Sequence, residues 1–176
     1  MSSMTERCWL TDTLAVTLAR VDFLDPAFAD QPDTRERGIR VEIRPVNAHH
    51  RGTIYSSPQL VLGEAIARMD LLESAPHAAD RMHWHPGMID GEPEDRTYDP
   101  AMPADPTGWL GGRLRDVGGL LQQSGVSDTD RFQAAAASIA DLTPEIVHEA
   151  RAGLAWAREA WPEVDHDERG MAVQPV

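Results

Sequence analysis

Lysine is absent from this chain of 176 residues, and all sixteen basic residues are arginines. Without lysine there can be no Schiff base, no pyridoxal-phosphate anchor and no P-loop lysine. Cys8 is the only cysteine, which excludes an internal disulfide and a metal site built from several cysteines. Because Cys8 stands beside Trp9 at an expected strand start, we expect a buried structural thiol rather than a nucleophile.

Positive charge and long apolar runs are also scarce. The formal net charge is −13 at pH 7, and such a chain lacks the basic footprint needed for general binding to nucleic acid or anionic membranes. No apolar run approaches the ~20 residues that span a membrane, and no basic segment followed by an apolar core marks a signal peptide. We therefore expect a cytoplasmic protein. A local cluster of arginines could still bind an anionic small molecule.

The order of the sequence patterns predicts strands first and helices afterwards. Residues 9–23, 38–46 and 53–57 have the apolar or alternating character of strands, and 47–52 is typical of a hairpin turn. The lack of alternating strands and helices favours an α+β fold. We expect an antiparallel sheet over the N-terminal ~90 residues, open or barrel-like, covered by a C-terminal layer of about three helices.

The helical patterns begin at residue 107. The first has a single apolar stripe, which runs from Trp109 to Leu121 and ends at Gly125. A second helix is predicted after residues 127–130, and a third starts at residues 143–145, where Pro144 takes the first helical position, and stops near residue 162.

We interpret the chain as a single domain over residues 1–176. Its parts are a sheet (7–86), a proline-rich arm (87–106), a helical part (107–162) and a tail (163–176), with a short helical turn expected at 27–29. Residues 86–108 lack periodicity and contain five prolines, and loops of this length are usually functional or disordered. We interpret the segment as an arm or lid over the polar face of the sheet. Its possible contributors there are Asp90, Glu92, Tyr98 and Asp99.

Two histidines, His83 and His85, are the strongest candidates for chemistry. In a strand, residues two apart project from the same side. The second half of the run 60–73 has the alternation of a strand, and residues 74–80 contain Pro76 and short polar side chains typical of a turn. The sequence therefore predicts an antiparallel hairpin.

Burial of apolar side chains sets the register of this hairpin, because a slip of one residue would turn every side chain to the other face. One continuous apolar face forms when Met69 pairs with Trp84 and Leu71 lies beside Met82.

The same register defines the polar face. It places Asp70 opposite His83 and Arg68 opposite His85, with paired Cβ atoms roughly 4.5–5.5 Å apart. The face gathers two histidines, two carboxylates and two arginines: Glu64, Arg68, Asp70, Arg81, His83 and His85.

Imidazole and carboxylate together suit a mononuclear divalent transition metal such as Fe, Mn, Ni or Zn. Asp70 is the first candidate for the oxygen ligand because it lies opposite His83, and Glu64 is the second. Further alternatives are Asp90, Glu92 and His77. The structural alternative is that the two histidines are ordinary surface or hydrogen-bonded residues within a network of ion pairs.

The arginines of the same face predict an anionic ligand, because a planar guanidinium matches a carboxylate. Arg68 and Arg81 are the candidates for this role, and Trp84 and Tyr98 are further candidates for substrate contact, although Trp84 also suits the core. Of the remaining histidines, His49, His50, His148 and His166 are expected to be solvated.

The stretch from Pro76 to Glu92, with His83-Trp84-His85, resembles the first half of a cupin metal motif. The resemblance implies a small β-barrel that binds a metal through His-x-His, a Glu and a later His, often with oxygenase or isomerase activity. Glu92 would supply the Glu, and the later His could only be His148.

A second resemblance joins three segments. The residues from 71–74 through His85-Pro86 to 105–110 resemble a protein family of high-GC bacteria that has no assigned function. It implies no mechanism.

Two functions fit these observations. The first is a small metal-dependent enzyme acting on an anionic small molecule, with the metal as Lewis acid or oxygen activator. The second is a non-catalytic protein that binds a small molecule or forms an oligomer, such as a homodimer, through the same face.

Overall fold

The computed structural model describes residues 6–25 and 34–173, so the helical turn expected at 27–29 lies outside the described residues. Six strands form one antiparallel sheet in the order β1–β2–β3–β5–β6, and β4 pairs with the far end of β3. The strands are β1 (Glu6–Leu10), β2 (Leu14–Leu24), β3 (Arg35–His50), β4 (Pro58–Leu62), β5 (Ala67–Glu73) and β6 (His83–His85).

A layer of helices follows the sheet in the chain. These are α1 (Ala101–Ala104), α2 (Pro106–Arg115), α3 (Val117–Gln123) and α4 (Gln133–Ala157), with a 3₁₀ turn (Asp130–Phe132) before α4. The predicted α+β class is confirmed, and over the described residues the sheet does not close into a barrel. None of the helices in these ranges has the length and apolar composition that a membrane crossing requires.

The alternation along β3 separates the two faces of the sheet. Ile39, Val41 and Ile43 are fully buried in the core against the helical layer, whereas Arg40 and Glu42 lie on the opposite face. The core is one hydrophobic cluster that runs from β1 to α4. Helix α4 approaches this face closely at Gly153, where an added Cβ would lie 2.5 Å from Cγ2 of Ile39.

Residues 9–23 form two strands, so the prediction of a single strand is wrong. At the turn, the amide and the hydroxyl of Thr11 both donate to the carbonyl of Leu14, at 2.9 and 2.6 Å. Threonine is favoured both in strands and in such turns, so the pattern alone does not reveal where the chain reverses. Cys8 is exposed on β1, the edge strand, which corrects the expectation of a buried thiol.

The turn after β3 lies further along the chain than predicted. Residues 47–50 extend β3, and 53–57, predicted as a strand, form the turn, in which the Ser56 hydroxyl donates to the Thr53 carbonyl at 2.6 Å. Pro58 begins β4 opposite His50. Proline is tolerated at the first residue of an edge strand because no ladder hydrogen bond is lost there.

Two helix boundaries also differ from the prediction. Asp116 divides the first predicted helix in two, because its side chain accepts from the amide of Gly119 and caps α3. Pro144 lies inside α4 rather than at the start of a third helix. The Thr143 hydroxyl donates to the Ile139 carbonyl at 3.0 Å, and the buried apolar face of α4 continues through the proline, so packing overrides its helix-breaking tendency.

The proline-rich arm follows the outer edge of β6. It starts with a small hairpin of β7 (Met88–Ile89) and β8 (Glu92–Pro93), and Thr97 then exchanges two backbone hydrogen bonds with Trp84. The arm therefore extends the sheet beside the His-x-His strand.

Candidate metal centre

The hairpin of β5 and β6 has the predicted register. Asp70 pairs with His83 and Arg68 pairs with His85, as Met69 does with Trp84. Met69 and Trp84 are buried in the core beneath the helices. The strand alternation therefore projects both histidines and Asp70 from the opposite face.

Three side chains converge on this face. The Nε2 atoms of His83 and His85 lie 3.5 and 3.7 Å from the same oxygen, Oδ2 of Asp70. All three residues are at most 5% exposed, and their candidate ligand atoms lie within 4.8 Å of one another. Among the described residues, this is the one group of three or more metal-ligating side chains.

Backbone carbonyls fix the orientation of both imidazoles. Nδ1 of His83 lies 2.8 Å from the carbonyl of Arg81, and Nδ1 of His85 lies 2.7 Å from the carbonyl of Glu94. A carbonyl can only accept, so each Nδ1 carries the proton and donates it. In the neutral ring, Nε2 then presents a lone pair to Asp70.

Burial favours the neutral ring of His83, since it lowers the pKa of this imidazole below its ordinary 6.5. The separations of 3.5 and 3.7 Å between Nε2 and Oδ2 exceed the usual hydrogen-bond length of about 2.7–3.2 Å. Asp70 and the two imidazoles therefore face one another at distances too long for a hydrogen bond.

Arg40 orients the carboxylate. It lies opposite Asp70 on β3, and its Nε donates to Oδ1 of Asp70 at 2.8 Å. This bond leaves Oδ2 directed at the two histidines. The same pattern, in which an outer group holds a ligand in place, is common around protein metal sites.

A cavity of about 180 Å³ opens beside the three groups. The proline-rich arm contributes Pro93 and Arg96 to its wall. The other lining residues come from the sheet: Phe23, Glu36, Arg40, Arg68, Asp70, Leu72, His83 and His85.

Glu36 is a cavity residue that the sequence analysis missed. It is 2% exposed, and its Oε1 lies 3.8 Å from NH1 of Arg96. Burial raises the pKa of the Glu36 carboxyl, and the positive charge of Arg96 opposes that shift. The sequence pattern that could have identified Glu36 is the alternation of polar residues along β3. The predicted strand began at Gly38, however, so Glu36 was assigned to a loop.

The other predicted ligands lie outside the group. Glu64 is exposed beside the turn at Gly91, and the strand predicted to carry it breaks between β4 and β5. The further alternatives and the histidines expected to be solvated are all exposed: His49, His50, His77, Asp90, Glu92, His148 and His166. Glu92 and His148, which the cupin resemblance implies as ligands, are thus not brought to the centre.

The predicted substrate-binding residues occupy different places. Arg68 lines the cavity and donates to Oε1 of Glu42 at 2.7 Å. The Arg81 carbonyl holds His83. Tyr98 is 64% exposed with its ring centroid 6.1 Å from that of His83. Trp84 faces the core and is not brought to the cavity.

No protein-family model matches the chain, and neither the curated proteins nor the solved structures give a significant match.

Proposed function

We propose that the protein is a metal-dependent enzyme in which Asp70, His83 and His85 bind one divalent transition metal ion. The observation that carries this proposal is the pair of Nε2 lone pairs directed at one carboxylate oxygen, at 3.5 and 3.7 Å. Without a cation, these groups repel one another inside a buried site, where electrostatic interactions are strong.

The spacing also suits metal coordination. Two ligands that each lie about 2.1 Å from a metal are about 3.4 Å apart at a tetrahedral angle. Two imidazoles and one carboxylate are the ligand set of Fe(II), Mn, Ni and Zn sites that keep open positions for substrate. The bound ion would supply Lewis acidity or oxygen activation, while the chain orients the ligands and limits access to water.

The substrate we propose is a small anionic molecule. The cavity volume of about 180 Å³ compares with about 30 Å³ for each molecule in liquid water, so it accommodates roughly six heavy atoms. Each arginine that lines the cavity already pairs with a carboxylate: Arg40 with Asp70, Arg68 with Glu42 and Arg96 with Asp25. Arg68 pairs with His85 across the hairpin and so lies beside the metal ligands, which makes it the candidate for the anion.

Elemental analysis by mass spectrometry tests the proposal. Untagged wild-type protein, reconstituted with Fe(II), Mn, Ni or Zn and desalted, should retain close to one ion per chain. A His83→Ala/His85→Ala variant should retain none, whereas the matched control His49→Ala/His50→Ala, which removes two exposed histidines, should behave as wild type. Absence of metal from all three proteins would favour the non-catalytic binding role of the same face.

A further inference from the structure

Glu36 is a buried carboxylate without a hydrogen-bond donor. It lies on β3, is 2% exposed, and neither Oε1 nor Oε2 accepts a hydrogen bond. The guanidinium of Arg96, at 3.8 Å, is beyond hydrogen-bond distance. A buried polar group left in this state is unfavourable, so a donor is expected to reach Glu36 from the cavity that it lines.

The neighbouring carboxylates differ from Glu36 because each has a donor. Asp70 accepts from Arg40 at 2.8 Å, Glu42 from Arg68 at 2.7 Å and Asp25 from Arg96 at 3.2 Å. The acceptor that a cavity ligand would satisfy is therefore Glu36.

The strand geometry separates Glu36 from the metal ligands. Glu36 lies four residues before Arg40, which pairs with Asp70. At about 3.3 Å per residue, the Cα atoms of Glu36 and Arg40 are about 13 Å apart. The backbone positions of Glu36 and of the metal ligands are therefore separated along the sheet, and a ligand that contacts both must be several bonds long.

The charges near Glu36 favour a neutral donor. Arg96 and Arg81 and, with the opposite sign, Asp25 and Asp70 act on its carboxyl group, so these charges offset one another and do not favour an ammonium group. A hydroxyl group supplies a donor without the cost of burying another charge.

We propose that the cavity binds a small carboxylic acid with a terminal hydroxyl group, which donates to Glu36 while the carboxylate faces the metal ligands. The metal end of this arrangement rests on the proposed function. The hydroxyl end rests on Glu36 alone.

Matched ligand pairs test the inference in the cobalt(II)-loaded protein, whose absorption band reports binding. The pairs are propionate and 3-hydroxypropionate, and butyrate and 4-hydroxybutyrate. In wild type, the hydroxylated member of at least one pair should bind about tenfold more tightly, as expected when a hydrogen bond satisfies a buried carboxyl group.

The variant Glu36→Leu should lose this preference and keep its affinity for the plain acids. The control Glu92→Leu, at an exposed carboxylate of the arm, should retain the preference. The wild-type comparison needs no variant, so misfolding cannot hide the result. Equal affinities within every pair would overturn the inference while the cobalt band upholds the metal site. Absence of a cobalt band would overturn both.

A second inference concerns the distal hairpin, defined as residues 46–63. Ile54 and Tyr55 at its tip are 91% and 90% exposed, and all five residues of β4 are exposed. Within the part of the chain that the structure describes, β4 pairs with β3 alone, so its other edge is open. A two-stranded hairpin with exposed apolar side chains is only marginally stable by itself.

The distal hairpin contains no Asp or Glu, although the chain has 29 acidic residues. Two copies, each with a formal charge of −13, repel each other over most of their surface but not here. We infer that β4 pairs with β4 of a second copy about a two-fold axis, which closes both open edges in one symmetric interface.

Sedimentation velocity at low and high micromolar concentration tests this inference. Wild type should be a dimer, and Val61→Lys should be a monomer because charge on an edge strand opposes pairing. The control Ile89→Ser, which changes an apolar residue that is 60% exposed outside the hairpin, should remain a dimer. A monomeric wild type, or a dimer that persists in Val61→Lys, would overturn the inference.

Discussion

Addition of a divalent transition metal to chelator-treated protein should raise its thermal unfolding temperature. The three ligands are buried and already grouped in the folded chain, whereas unfolding separates them. The ion therefore binds the folded state in preference. At a free metal concentration about 100 times Kd, this linkage stabilises the fold by about 2.7 kcal/mol.

The corresponding temperature shift follows from the chain length. For 176 residues, 1 kcal/mol corresponds to about 2–4 °C in Tm, so the expected increase is about 5–11 °C. Differential scanning calorimetry with and without each metal measures it. The shift should persist in His49→Ala/His50→Ala and vanish in His83→Ala/His85→Ala. An equal shift in the two double variants would refute the assignment of the ligands.

Three further predictions address the surroundings of the site and the fold. Arg40→Gln removes the bond that orients Asp70 and should weaken metal binding about 10–100-fold in a competition assay with a chelating dye; unchanged affinity would argue against that role. Gly153→Ala should lower the unfolding free energy in urea by about 1–3 kcal/mol because α4 is forced away from the sheet, whereas Gly112→Ala, with nothing within 4 Å, should leave it unchanged or raise it. Because the pKa of His83 is lowered from 6.5 in the folded chain, the unfolded chain binds more protons below pH 6.5. In the presence of a chelator, the free energy of unfolding should therefore decrease as the pH is lowered below 6.5, and His83 contributes at most about 1.4 kcal/mol of this decrease per pH unit. The decrease should be smaller in His83→Gln.

The core of the site could be predicted because it depends on a local hairpin. The alternation of Met69 and Trp84 with Asp70, His83 and His85 allows one register that buries the apolar residues, and that register is the one observed. The α+β class could also be predicted, because the strand and helix patterns are local features of the sequence and their order along the chain indicates this class.

The rest of the site depends on pairing between distant segments. Arg40 and Glu36 reach the cavity because β3 pairs with β5 across about thirty residues, and Arg96 does so because the arm returns along β6. Short-range periodicity carries no information on such contacts. The errors at Pro144 and at the Thr11 turn have the same origin, since packing in the folded chain decided between two locally acceptable conformations.

Anomalous diffraction from crystals grown with the bound metal tests the central claim most directly. The account predicts one strong peak within about 2.0–2.2 Å of Nε2 of His83, Nε2 of His85 and Oδ2 of Asp70. A well-occupied metal elsewhere, such as on the exposed His49 and His50, with no peak between these three atoms would contradict it.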